Sequence, residues 1–290
     1  MNSSLEDMFE DLSVPTRKHQ VAVWMPCFNA ENWVSEAIES VLFQKEVDAV
    51  LIVFDDCSTD GTREILRNLS EQYPGKLFVS RPLFNSFTSG NKVIQLDLIE
   101  LVDCDYIAIL DADDFWNSPD KLLLSIDAID KTGAAASGHA VNVLGVSKKA
   151  NIYRALLHGL SSDGYKNKFY QNPGFLPWTV PTCSLVVRRS SFPFSLKSEI
   201  ATSSAGDLIT KLGLLKEGHI EFIEEVLGTY RIHDESMWSS KGIFNRSLKT
   251  ARILLSVRGV MGTKRTISSM IYGVIWAFLV FKVSIKLRGK

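Results

Sequence analysis

The sequence predicts an α/β fold of Rossmann-like kind: a mostly parallel central sheet flanked by helices, with a C-terminal helical basic extension. Three observations predict it. Short apolar runs of strand length alternate with segments whose apolar residues recur at helical spacing. At 290 residues, 46% hydrophobic and 22% charged, the chain can bury an ample core without covalent staples. Finally, the polar clusters Phe28-Asn29, Asp55-Asp56 and Asp111-Ala112-Asp113 each fall directly after an apolar run. Ligands of parallel sheets bind beyond the carboxyl ends of the strands, so clusters far apart in sequence are expected to meet at one edge.

Residues 1–19 lack periodicity and read as a loose leader or one short helix. Val21-Ala22-Val23-Trp24-Met25 reads as a buried strand stopped by Pro26. Val34, Ala37, Ile38, Val41 and Leu42 mark the helix that follows. Val50 to Phe54 is a second strand; Ser58-Thr59-Asp60-Gly61 is turn chemistry with helix N-cap candidates, and Ile65, Leu66 and Leu69 mark the next helix. Leu77 to Ser80 and Tyr106 to Leu110 complete the set of predicted parallel strands. Beyond residue 130, Thr182 to Arg188 reads as a strand and Asp207 to Lys216 as a helix with Leu208, Leu212 and Leu215 on one face. Ile220 to Ile223 and Leu227 to Ile232 read as two strands that pair. The expected organisation is a leader (1–19), a main domain (20–235) and a basic, partly apolar helical tail (236–290).

The four cysteines, Cys27, Cys57, Cys104 and Cys183, show no C-x-x-C pair and no zinc spacing, which suggests reduced thiols in a cytosolic protein. Met1 to Gln20 is polar and acidic and carries no signal-peptide pattern. The net charge of −1 hides an asymmetry, because Lys241 to Lys290 holds eleven Lys and Arg and no Asp or Glu. Its run Ile271 to Phe281 is shorter than the roughly 20 apolar residues a span needs. The tail is therefore expected to lie on a membrane surface, with its lysines on anionic head groups, which places the protein in the cytoplasm, peripheral on the inner face of the membrane. Packing on the body or on a second subunit of a homo-oligomer is one alternative, and a span extended to Ile285, which would bury Lys282, is the other. No nucleic-acid partner is expected.

An Asp-x-Asp after a buried strand places two carboxylates side by side, and like charges so close need a cation to coexist. Read alone, the motif is either such a cation site or a solvated acidic loop. Hard oxygen ligands suit Mn²⁺ or Mg²⁺, which keep positions open for substrate phosphates. Asp55-Asp56, at the end of another strand, is either a turn-forming pair or an acceptor for a base N–H such as uracil N3.

Four segments in series carry a resemblance: Pro26-Cys27-Phe28-Asn29-Ala30-Glu31, Ala37 to Gln44, Asp55-Asp56-Cys57-Ser58-Thr59-Asp60-Gly61-Thr62, and Ile109-Leu110-Asp111-Ala112-Asp113-Asp114. In order and spacing, over about residues 20–235, they resemble the family-2 inverting glycosyltransferases of the GT-A fold, of the bacterial surface-polysaccharide type. The resemblance implies a nucleotide-sugar donor and a glycan or lipid-linked acceptor. It implies donor-binding roles for Pro26, Phe28, Asn29, Glu31, Asp55, Asp56, Lys92, Asp111, Ala112 and Arg231, with Asp56 reading uracil and Phe28 packing on the base. Asp113 and His233, the latter in Tyr230-Arg231-Ile232-His233, are implied metal ligands. Asp207 matches the general base that takes the acceptor proton in a single inverting displacement, although an Asp in the first turn of a helix is favourable on dipole grounds alone. Thr182 to Arg189 resembles the strand beneath the acceptor site.

Three positions depart from the pattern. Cys57 replaces a glycine, Gly206 replaces the glutamate before the base, and Asn91-Lys92 stands where many members show Arg-Asn. Gly206 keeps open a non-catalytic sugar-nucleotide or glycan-binding relative. An aspartyl phosphotransferase would want Thr or Val where Phe115 stands, and a dinucleotide-binding dehydrogenase would want a G-x-G-x-x-G after the first strand.

Overall fold

The computed structural model describes residues 3–145, 180–203 and 206–233. Nine strands form one sheet among them: β1 (Phe9–Asp11), β2 (His19–Cys27), β3 (Ala49–Asp55), β4 (Leu77–Pro82), β5 (Cys104–Ile109), β6 (Phe115–Trp116), β7 (Ala136–Leu144), β8 (Val186–Arg188) and β9 (Ile220–Arg231), in the order β1-β4-β3-β2-β5-β8-β7-β9-β6. The central β4-β3-β2-β5 block is parallel. The described α-helices are α1 (Ser3–Glu6), α2 (Val34–Leu42), α3 (Thr62–Gln72), α4 (Ser86–Ser89), α5 (Val93–Leu101), α6 (Lys121–Thr132), α7 (Lys197–Thr202) and α8 (Gly206–Glu217). None of them is long and apolar enough to cross a membrane. The basic tail, residues 241–290, lies outside the described residues.

Each central strand is apolar on both sides because both faces of the sheet are covered. On β3, Val50, Ile52 and Phe54 join a cluster with Ile94, Leu98 and Ile99 of α5 and with Leu208, Ile209, Leu212 and Leu215 of α8. Leu51 and Val53 point the other way, to Val34, Ala37, Ile38 and Val41 of α2, Leu66 of α3 and Leu122, Ile126 and Ile129 of α6. The period-2 alternation is thus hidden in composition but present in packing.

Four expectations are corrected. The leader is not loose: besides α1 it contributes β1, which pairs antiparallel with β4. Pro26 does not stop its strand, which runs on to Cys27. Its carbonyl accepts from Ala112 N–H beyond the end of β5. The N–H that proline lacks would point to that same side, where no strand remains to be paired. Thr182–Ser184 is a 3₁₀ turn after Pro181, and only Val186–Arg188 is strand. Residues 220–231 are one strand, not a pair: β9 runs parallel to β7, and the acidic Glu224-Glu225 is taken up by register shifts instead of turning the chain.

Candidate active site

The ends of β2, β3 and β5 share one edge, and backbone bonds knit their loops together. Leu110 N–H donates to Trp24 O (3.0 Å) and Ala112 N–H to Pro26 O (3.3 Å), so the Asp-x-Asp turn is laid along the end of β2. Asn29 adopts a left-handed φ of 48°. Its N–H donates to Ser58 Oγ (2.9 Å) and its Oδ1 accepts from Thr59 N–H (2.8 Å). Glu31 Oε2 accepts from Gly61 N–H (2.7 Å) at the start of α3, a position favourable for an anion. Asn29 and Glu31 therefore brace the loops from within. Cys57 has φ of 65°, a conformation that glycine reaches without strain, which explains why glycine is the usual residue there.

Two aspartates separate in role. Asp55 is buried, ion-paired to Arg81 of β4 and accepting from Ser58 N–H (3.0 Å), so it holds the strand end together. Asp56 accepts from the Ser86 and Phe87 N–H groups that open α4, while its carbonyl accepts from Asn85 Nδ2 (2.6 Å). Each aspartate accepts one bond on each oxygen; they differ in that the charge of Asp55 is met by Arg81, whereas the bonds to the Asp56 carboxylate come from backbone N–H groups. Phe28, 52% exposed, lies next to it in the fold, since Asp56 N–H donates to Cys27 O. Lys92 sits over the Phe87 ring, 4.2 Å from its centroid, on this same side.

The acidic side is built by β5, β9 and α8. Asp113 Oδ2 and His233 Nε2 are 3.0 Å apart although 120 residues separate them in sequence. The two are hydrogen-bonded to each other, and the spacing equals that of two ligands each about 2.1 Å from one ion and at right angles (~3.0 Å), so a divalent cation could replace the shared proton. Among the described residues, no three His, Cys, Asp or Glu side chains are grouped to hold an ion by themselves. The arrangement suits a cation that completes its shell with phosphate oxygens and water.

Arg231 frames this pair from below. Its guanidinium donates to the Asp113 carbonyl (2.6 Å) and to Glu36 Oε2 (2.6 Å), and lies between the Trp33 and Phe115 rings, 4.5 and 5.1 Å from their centroids. Its backbone N–H donates to buried Asp114 (2.8 Å), whose carboxyl is held well above the usual range, first by burial and then by Asp113 and Asp111. Trp33 also packs against His233, with centroids 5.7 Å apart. Trp33 and Glu36 were not legible as site residues, because their role depends on a β9 arginine 195 positions beyond Glu36.

Asp111 is strongly perturbed. Burial pushes its carboxyl up to about 7, helped by repulsion from Asp113 and Asp207, with Lys211 pulling the other way. Asp207, in the first turn of α8, therefore faces the Asp-x-Asp turn. Lys211, one helical turn on, is ion-paired to Asp207 at 3.2 Å. The Gly206 departure has a packing cause: a Cβ there would stand 2.7 Å from the Ile200 carbonyl oxygen of α7, so no glutamate fits.

A family model described as glycosyl transferase family 2 matches residues 22–192. The chain belongs to this family. Among relatives, this glycosyltransferase is 28% identical over 226 residues to TuaG of Bacillus subtilis, a glycosyltransferase named for teichuronic acid biosynthesis, covering 77% of this chain and 83% of that one. It is 26% identical to the Escherichia coli UDP-Glc:alpha-D-GlcNAc-diphosphoundecaprenol beta-1,3-glucosyltransferase WfgD, covering 76% and 80%. Among solved structures, S. aureus TarS 1–349 in complex with UDP-GlcNAc superposes with a TM-score of 0.59 at 15% identity, over 82% of this chain and 66% of that one. The mannosyltransferase PcManGT of Pyrobaculum calidifontis, in complex with GDP-Man and Mn²⁺, gives 0.63 at 14%, over 97% and 78%. The sheet and its flanking helices are those of the GT-A fold.

Proposed function

We propose that this glycosyltransferase moves a sugar from a UDP-sugar to a hydroxyl of a lipid-linked glycan, with inversion, using Asp207 as the base and a divalent cation held by Asp113 and His233. The carrying observation is the meeting of Asp111, Asp113, Asp207 and His233, from three elements distant in sequence, at the edge that also presents Phe28 and Asp56. Phe28 offers a face to the base, and Asp56 accepts its N–H. When bound, Mn²⁺ or Mg²⁺ neutralises charge developing on the departing diphosphate. Asp207 accepts the acceptor hydroxyl's proton as the oxygen attacks the anomeric carbon from the face opposite the leaving group. Arg231 keeps the Asp113 backbone in place through its carbonyl and brings positive charge to the edge where the diphosphate would lie. The uridine donor and lipid-linked acceptor draw support from the printed name of WfgD. A peripheral membrane location through residues 241–290 is part of the same proposal.

Titrating UDP, GDP and dTDP with Mn²⁺ by calorimetry is expected to give the tightest binding for UDP, and a preference for GDP or dTDP refutes the donor assignment. Asp113→Ala is expected to abolish the metal dependence of UDP affinity. Asp207→Asn is expected to lower kcat by ~10² to 10⁴ with donor affinity unchanged. Full activity in that variant removes Asp207 from the mechanism.

A further inference from the structure

Helix α8 is buried all round. Leu208, Ile209, Thr210, Lys211, Leu212, Gly213, Leu214 and Leu215 form an uninterrupted buried run. A helix apolar on every side belongs to the core, and a lysine inside one is costly unless its charge is met. The Lys211 side chain is 4% exposed, whereas that of its ion-pair partner Asp207 is 45% exposed. An ordinary surface pair one helical turn apart has both ends in water. Here the cation lies inside, behind a carboxylate that faces out toward the acidic turn. A leucine or methionine would fill the same space at lower desolvation cost, so packing gives no reason for a cation at this position.

We propose that Lys211 is a positioning residue for the transfer reaction: its buried ammonium, 3.2 Å from Asp207 Oδ2, fixes the base carboxylate in the orientation that meets the acceptor hydroxyl. This rests on the reading of Asp207 as base. The groups around the pair are named by the electrostatics of the site. Asp111 feels both Asp207 and Lys211, with opposite sign, so the pair lies within electrostatic reach of the Asp-x-Asp turn. In this chain the residue before the base is a glycine that Ile200 forbids from growing, so no neighbouring glutamate orients Asp207. Lys211 does so from the next turn of the same helix. Without it the carboxylate is free to rotate into solvent, and misplacement of a catalytic group by about 1 Å lowers the rate by ~10²-fold.

The test uses the full chain and compares wild type, Lys211→Met, Lys211→Arg, Asp207→Asn and the double variant Lys211→Met/Asp207→Asn. Lys211→Met is expected to lower kcat ~10-fold to ~100-fold while KM for the donor, metal-dependent UDP affinity and Tm stay at wild-type values or Tm rises. Lys211→Arg is expected to recover most of the lost kcat, and the double variant to be no slower than Asp207→Asn alone. A wild-type kcat in Lys211→Met beside an inactive Asp207→Asn overturns the positioning role and leaves the base intact. An active Asp207→Asn overturns both readings. A fall in Tm with kcat per correctly folded site unchanged shows a packing role only and also overturns the proposal.

Discussion

Replacing Asp111 with asparagine isolates the strain that the acidic turn imposes on the metal-free protein. Its carboxyl, ordinarily near 3.8, is pushed up to about 7 by burial, Asp113 and Asp207. At ~1.4 kcal/mol for each tenfold change in proton affinity, that gap has an upper limit of ~4 kcal/mol; with Asp111 partly open to solvent, ~2–4 kcal/mol is the working figure. The sign follows from linkage. The native state binds this proton more tightly than the unfolded chain does, so the contribution to stability is complete below pH ~4 and is lost as pH rises through ~7. Other carboxylates have the opposite sign: Asp48 and Asp130 are held below their ordinary values, each by hydrogen bonds from its partners. The readout is therefore the difference between wild type and Asp111→Asn. Urea unfolding from pH 4 to 8 in the presence of a chelator should show the variant gaining ~2–4 kcal/mol over wild type across that range. Adding UDP and Mn²⁺ should close the difference by stabilising the ionised wild type. Parallel stability curves for the two proteins in chelator would refute the reasoning.

Two further substitutions test the scaffold. Lys121, at the start of α6, is fully buried with no hydrogen-bond partner for Nζ among the described residues, lies 3.9 Å from the Trp116 ring centroid, and is lowered by burial to about 7. Its contribution is lost as pH falls from ~10.5 toward ~7, so Lys121→Met should stabilise the protein at pH 7 by ~1–3 kcal/mol in urea unfolding; a loss of stability would show that the cation–ring contact outweighs desolvation. Gly206→Ala should destabilise by ~1–3 kcal/mol because its Cβ meets a backbone oxygen, and Gly206→Glu should not raise activity; a neutral alanine variant would refute the packing explanation.

The sequence by itself determined the central sheet and the edge where the site lies. Val21 to Met25, Val50 to Phe54 and Tyr106 to Leu110 are read as strands because a sheet covered on both faces demands continuous apolar runs, a local property of composition. The polar clusters that end them are brought to one edge by parallel pairing, which follows from the alternation of strand and helix. Phe28, Asp56, Asp113 and Asp207 stand out in the sequence because each sits in a short motif. Only the tertiary structure decided which neighbours the other polar residues bond. Asn29, Glu31 and Asp55 have the residue types of ligand contacts, and the structure shows Asn29 and Glu31 bonded to the neighbouring loop and Asp55, a buried carboxylate that must be paired, bonded to Arg81. Arg231 was legible as a cation, and the structure adds that its two Nη groups bond the Asp113 carbonyl and Glu36. β1 and the continuous β9 escaped notice because pairing with a distant strand, not local apolarity, makes them strands. Lys211 escaped for a similar reason: at helical spacing a lysine four residues after an aspartate reads as a surface pair, and only the packing of α8 places its ammonium inside, behind Asp207.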